Sequence, residues 1–322
     1  MDAFLDFSIV PGSERAFGLF SPLHILWLLA ALMAWLLMCR SYKHRSPARR
    51  VRMRRVTAGA AFAIELLRSL LLMLAGEYGI GRLPLHLCAL AIYISFLHSL
   101  RGGELTGQFL YAFCMPGAVC ALLFPDWSAY PAFHFMSVSS FTLHILLVGY
   151  TLMLVAGGEL RPDTRRAPAC LGIMLLIAVP VYVFDRLMGT NYMFLNWPLP
   201  GSPLEWFAFL GRPGYLLGYL PLLTAAWAVI YVGEDDGGVR LAALEAVDLV
   251  DRVARHRVHD RAYSQRDQHL ICVQARIVVA EVLDLEVLDR LDDARSDKLQ
   301  RLVYPGELLE SVQQAGRGRA EQ

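Results

Sequence analysis

Long apolar runs, separated by short polar connections, dominate the first 232 positions of this chain. A helix needs roughly 17–25 residues to cross a bilayer. Seven runs reach or approach that length, near 22–39, 56–75, 84–100, 107–124, 135–156, 167–186 and 213–232, with the third and fourth the shortest. The pattern predicts an all-α fold, a polytopic membrane helical bundle of about seven transmembrane helices. The third run opens with Leu83-Pro84-Leu85-His86-Leu87-Cys88. A proline costs nothing in the first turn of a helix, because its missing N–H would be unpaired there anyway. Pro84 therefore reads as the helix start, with His86 and Cys88 within the next turn or so.

Charge gives the bundle an orientation. The first connection carries Arg40, Lys43, Arg45, Arg49, Arg50, Arg52, Arg54 and Arg55, and the one after the fifth run carries Arg161, Arg165 and Arg166. The alternate connections hold Arg82, no basic residue in 125–134, and Arg212. Short basic loops stay in the cytoplasm. The N-terminal segment 1–21 is then extracytoplasmic, the C-terminus is cytoplasmic, and the expected location is the cytoplasmic (inner) membrane. Cys88, the segment Pro125 to His134 and the stretch Gly189 to Trp197 all fall on the outer side. The Trp and Tyr residues there suit an aromatic belt at the headgroup level.

Composition agrees with this class. The chain is 56% hydrophobic with a mean hydropathy of +0.43, too apolar for an ordinary soluble domain. The six cysteines (Cys39, Cys88, Cys114, Cys120, Cys170 and Cys272) show neither a disulfide framework nor a CxxC zinc pattern. Met1–Ser21 has no basic n-region, so the first run reads as retained rather than cleaved. From Gly233 onward Phe, Trp and Asn vanish, and Tyr263 and Tyr304 are the only aromatics. Residues 233–322 read as a cytoplasmic tail, loosely helical or disordered. The abrupt loss of aromatics after Tyr231 also fits a shifted reading frame.

Five kinds of group could carry chemistry. Cys88, at a helix N-terminus whose dipole favours a thiolate, is the nucleophile candidate. A buried thiol is otherwise a small packing residue, and Cys114, Cys120 and Cys170 take that reading. His144, inside the fifth span, is a functional hypothesis because an ionisable group there is costly. His86, two residues from Cys88, would point away from it on a regular helix; His86, His98 and His134 take structural or interfacial roles. The fourth kind is the Glu65–Arg68 pair at i, i+3, which neutralises itself. Asn191, in an outer loop, could orient a side chain or a lipid carbonyl. Depth is the open question: ten residues at 1.5 Å each place His144 roughly 15 Å in, while Cys88 lies near the surface. No histidine spacing signals a metal, no loop signals a nucleotide, and the basic loop is explained by topology and anionic lipid. The expectation is no metal, no cofactor and no nucleic-acid partner.

The ordered set formed by Leu83–Cys88, then Tyr130-Pro131-Ala132-Phe133-His134-Phe135 leading to His144, Arg161-Pro162, and Gly189-Thr190-Asn191-Tyr192-Met193-Phe194 resembles the YwaF-like family of bacterial membrane proteins. That family is similar to the animal transmembrane-protein-164 family, described as a cysteine-dependent phospholipid acyltransferase. The resemblance runs from about residue 20 to 232. It implies that Cys88 matches the nucleophile, His144 its partner histidine, and Asn191 a supporting Gly-x-Asn position. The chain departs at Ala89, where an acidic residue is frequent, and at Gly211-Arg212-Pro213-Gly214-Tyr215, which replaces a Pro-Trp-rich stretch.

The leading expectation is a phospholipid acyltransferase or transacylase open to the outer leaflet. Cys88 and His144 would be catalytic, and His86, Asn191 and His134 substrate-binding or supporting. Its partners would be membrane lipids, a phospholipid donor and a lysophospholipid acceptor. The rival is a small-molecule or ion transporter in which Glu65, Arg68 and His144 line a polar path and Cys88 only packs.

Overall fold

The computed structural model describes residues 4–5, 17–131 and 133–231. Every regular element among them is helical, in the order α1 Pro22–Lys43, α2 Pro47–Leu74, α3 Leu87–Arg101, α4 Glu104–Phe109, α5 Met115–Leu123, α6 Phe135–Ala156, α7 Ala167–Met188 and α8 Tyr219–Ile230. The π-helical turn Leu110–Cys114 joins α4 to α5 into one span. Among the described residues five spans are long and apolar enough to cross a membrane. Two shorter apolar helices, Leu87–Arg101 and Gly214–Ile230, stand where the third and seventh runs were expected. The fourth span is longer than its sequence signal, because Glu104 at its start belongs to the helix. Everything expected of 233–322 lies outside the described residues.

The chain divides into two compact units, Met1–Gly201 and Ser202 onward. In the second, the 3₁₀ turns Pro203–Leu210 and Gly214–Gly218 pack on one another and lead into α8. In the first, α6 is the central helix, touching α1, α2, α3 and α5. Its sequence explains why. Ser137, Ser139, Ser140, Gly149 and Thr151 keep its surface low, and small residues let membrane helices approach closely. By contrast only 11% of the apolar window of α1 and 17% of that of α7 is buried, so their Leu-rich faces are left for lipid.

Hydrogen bonds sort the connections to two ends. At the basic end, Arg50 donates to Gly157 O (2.8 Å), Tyr42 OH to Glu159 (2.8 Å), and Gln108 to Arg161 O (2.7 Å). Arg54 pairs with the same Glu159 carboxylate. At the opposite end, His24 Nε2 donates to Leu122 O (2.8 Å), Arg82 to Tyr130 OH (2.8 Å), and Leu83 N–H to Tyr192 OH (2.8 Å). Alternate loops of this unit thus meet at alternate ends.

Tyr42 is fully buried at the basic end, and Gly157 makes room for it. A Cβ on Gly157 would stand 2.6 Å from the Tyr42 ring and 3.2 Å from Met153 O. Neither neighbour can yield easily, since Tyr42 is anchored to Glu159 and Met153 O is backbone. Gly157→Ala should destabilise the protein by about 1–3 kcal/mol, as overpacking does. Thermal unfolding in detergent would show a lower midpoint, and an unchanged midpoint would contradict this packing.

Candidate functional site

Helix α3 does not begin at Pro84. Leu83, like most residues before a proline, is extended (φ −65°, ψ 150°), and its N–H is held by Tyr192 OH. The chain stays irregular through His86, which caps α3 with extended geometry (φ −67°, ψ 146°). The first helical hydrogen bond runs from Leu90 N to His86 O (3.0 Å). Cys88 is therefore the second residue of α3, in the turn whose amides have no intrahelical acceptor. His86 lies outside the helix, so the rule that residues two apart diverge does not govern this pair.

The late start also changes the depth of the thiol. At 1.5 Å per residue, α3 is only about 22 Å long, shorter than a hydrocarbon core of about 30 Å. Helices α3 and α6 pack together, and both run toward the basic end, where His98 Nδ1 and Tyr150 OH meet at 2.8 Å. Counting back from that bond, Cys88 is ten residues up α3 and His144 six up α6. The axial offset is about 6 Å rather than 15 Å.

His144 is held on two sides. Its Nδ1 lies 2.7 Å from Ser140 O, and a carbonyl only accepts, so Nδ1 carries the proton. In the neutral ring, Nε2 is then a lone-pair acceptor. It has no partner among the described residues. Trp127, from the 3₁₀ turn Asp126–Ala129, stacks on the imidazole at 4.7 Å. Trp127 in turn meets Phe141 edge to face, and Phe141 stacks on Trp27 of α1 at 4.7 Å and 3°. The Trp127 indole N–H is buried and has no acceptor among the described residues. Such an unmet donor costs about 1–3 kcal/mol unless something satisfies it.

Around Cys88 and His144 stand further charged and polar groups. Cys88 is partly buried, and its sulfur makes no hydrogen bond with a described residue. Asp126 and Arg68 are the charged groups near enough to act on Cys88, His86 and His144 alike. Arg68 is held by Glu65 at 2.8 Å, the pair expected at i, i+3. Glu65 is 2% exposed, and its charge is answered within α2.

The loop after α7 closes over His86. Asp185, fully buried in the last turn of α7, accepts from Thr190 Oγ1 (2.7 Å) and Tyr192 N (2.9 Å). Asn191 accepts from Asn196 N and Trp197 N and donates to Trp197 O, all at 3.0 Å. Its amide is thus engaged within the loop. Met193 and Phe194 both have positive φ (51° and 54°), and this turn points Met193 N–H at His86 Nδ1, 3.2 Å away. Rings of Tyr192 and Phe194 flank the imidazole at 5.1 and 5.7 Å. Tyr192 OH also donates to Ile80 O (2.6 Å), and burial pushes this phenol above its ordinary range.

His134 stands apart from this group. It is fully buried and caps α6, its Nδ1 accepting from Met136 N (3.1 Å) while its ring stacks on Tyr130. The residues that sequence reasoning missed are Asp126, Trp127 as a support, and Asp185. Asp185 carried a usable signal, a carboxylate near the end of an apolar run, the same kind that exposed Glu65. Among the described residues no three His, Cys, Asp or Glu side chains gather as a metal site would require.

Apolar spans around a low-profile central helix, with ionisable groups sunk near one end, define a polytopic α-helical membrane protein. A model of the TMEM164 family matches residues 19–231, and the chain belongs to the TMEM164 family. No curated protein and no solved structure matches the chain.

Proposed function

We propose that this protein is a phospholipid acyltransferase or transacylase of the cytoplasmic membrane. In this reading the basic end faces the cytoplasm and the Cys88 end faces the outer leaflet. One observation carries the chemistry: the Ser140 carbonyl fixes the His144 proton on Nδ1, leaving Nε2 as a base beside the level of a thiol at a helix N-terminus.

The steps balance without a cofactor. His144 Nε2 takes the Cys88 Sγ proton, and the sulfur attacks an ester carbonyl carbon of a phospholipid. The carbon–oxygen bond breaks, and the departing alkoxide leaves as the lysophospholipid alcohol with the proton from His144. A lysophospholipid hydroxyl then attacks the thioester carbonyl carbon while His144 takes its proton; the C–S bond breaks, and the departing sulfur regains that proton from His144 to re-form the thiol. Asp126 and Arg68 set the local field. The unmet Trp127 N–H suits a site that receives an oxygen-bearing ligand. Asn191 supports by folding the loop over His86, and His134 by capping α6.

A phospholipid-mimetic electrophile, applied to purified protein in liposomes, should label Cys88 as located by mass spectrometry. His144→Ala should reduce that labelling by about 10²–10⁴-fold, the usual contribution of a general base. Labelling elsewhere, or labelling indifferent to His144, would favour a transporter in which Cys88 merely packs.

A further inference from the structure

We infer that His86 is the donor that binds the substrate carbonyl, with its Nε2–H polarising the oxygen that becomes the oxyanion. The inference rests on the acyl-transfer reading above and adds a residue to it. Its basis is the complementary proton placement on two rings. Met193 N–H can only donate, so the His86 Nδ1 that faces it at 3.2 Å must accept. A neutral imidazole whose Nδ1 accepts carries its proton on Nε2. That Nε2–H has no partner among the described residues. His144 has the opposite assignment, with the proton on Nδ1 and the lone pair on Nε2. One ring offers a proton and the other accepts one.

Position supports the division of labour. His86 precedes Cys88 by two residues, and its ring is fixed by the Met193 amide and by the Tyr192 and Phe194 rings. A donor held in advance stabilises developing negative charge without reorganising during the reaction. A base would need a lone pair on the free nitrogen, and the Met193 amide has already taken the one His86 possesses. His144 cannot supply the donor at rest for the mirror-image reason. In the attack step the C=O π pair moves onto oxygen, the S–C bond forms, and His86 Nε2–H bonds the resulting O⁻ without giving up its proton.

The test separates attack on a carbonyl from attack on a saturated carbon. Purified protein in liposomes is treated with iodoacetamide, whose displacement forms no oxyanion, and separately with a long-chain p-nitrophenyl ester, whose acylation does. His86→Ala should slow acylation of Cys88 by about 10²–10³-fold, the loss typical of one oxyanion donor. The same variant should keep its alkylation rate within about threefold of the parent. His86→Gln, whose side-chain N–H falls near Nε2, should recover part of the acylation rate. His144→Ala should slow both reactions. Equal loss of both reactions in His86→Ala and His86→Gln, or acylation at the parent rate in His86→Ala, would overturn the donor role. Parent-level acyl transfer in Cys88→Ala would instead overturn the underlying acyl-transfer reading.

Discussion

Cys88→Ala should abolish acyl transfer while leaving the bundle folded. In liposomes carrying a phospholipid with a deuterated acyl chain and an unlabelled lysophospholipid, lipid mass spectrometry should show transfer falling by on the order of 10⁴-fold or more, as when a nucleophile is removed from a concerted catalytic unit. The thermal midpoint should move little. Cys88 is only partly buried and makes no hydrogen bond with a described residue, so the substitution removes little more than one sulfur's worth of contact. That is about 1 kcal/mol. A transporter would behave in the opposite way, tolerating alanine at 88.

The second large effect is expected at Asp185. Asp185→Ala should destabilise the loop after α7 by about 2–4 kcal/mol, because two hydrogen bonds to a carboxylate disappear inside the protein. Thr190 Oγ1 and Tyr192 N would lose their acceptor. Asp185→Asn should be far milder. Its amide oxygen can accept the same two bonds, and Oδ2, which has no partner among the described residues, is the atom replaced. The contrast is readable as hydrogen exchange of residues 189–197. Rapid exchange in the alanine variant with near-parent protection in the asparagine variant is the expected result. Equal protection in all three proteins would show that Asp185 does not hold the loop.

The spans were legible because a bilayer imposes length and apolarity on anything that crosses it. The fifth was placed at 135–156, the bounds of α6. Leu83–Cys88 was recognisable as the mouth of the third span, but its start was misplaced by three residues. A proline is compatible with a first turn without requiring one. What decides the matter is Tyr192, more than one hundred residues away, which holds Leu83 extended. The site was half legible. Cys88 and His144 stand out as costly residues near or inside apolar runs. Trp127 and Asp185 act through contacts between segments distant in sequence, and no local spacing encodes them. The proton positions on His86 and His144 depend on what faces each ring, which only the packed chain defines.

The consecutive left-handed residues Met193 and Phe194 carry a further meaning. Bulky side chains pay about 1–3 kcal/mol each for that conformation, so the turn persists only while its surroundings hold it. Its amide is what selects the tautomer of His86. The location of one proton at the membrane end of α3 is thereby tied to the shape of a loop more than one hundred residues further along. If the loop slackens, the imidazole is free to exchange its tautomers, and the distinction between a proton-giving ring and a proton-taking ring disappears. The chain thus keeps a chemical asymmetry between two identical side chains by means of a bend in its backbone.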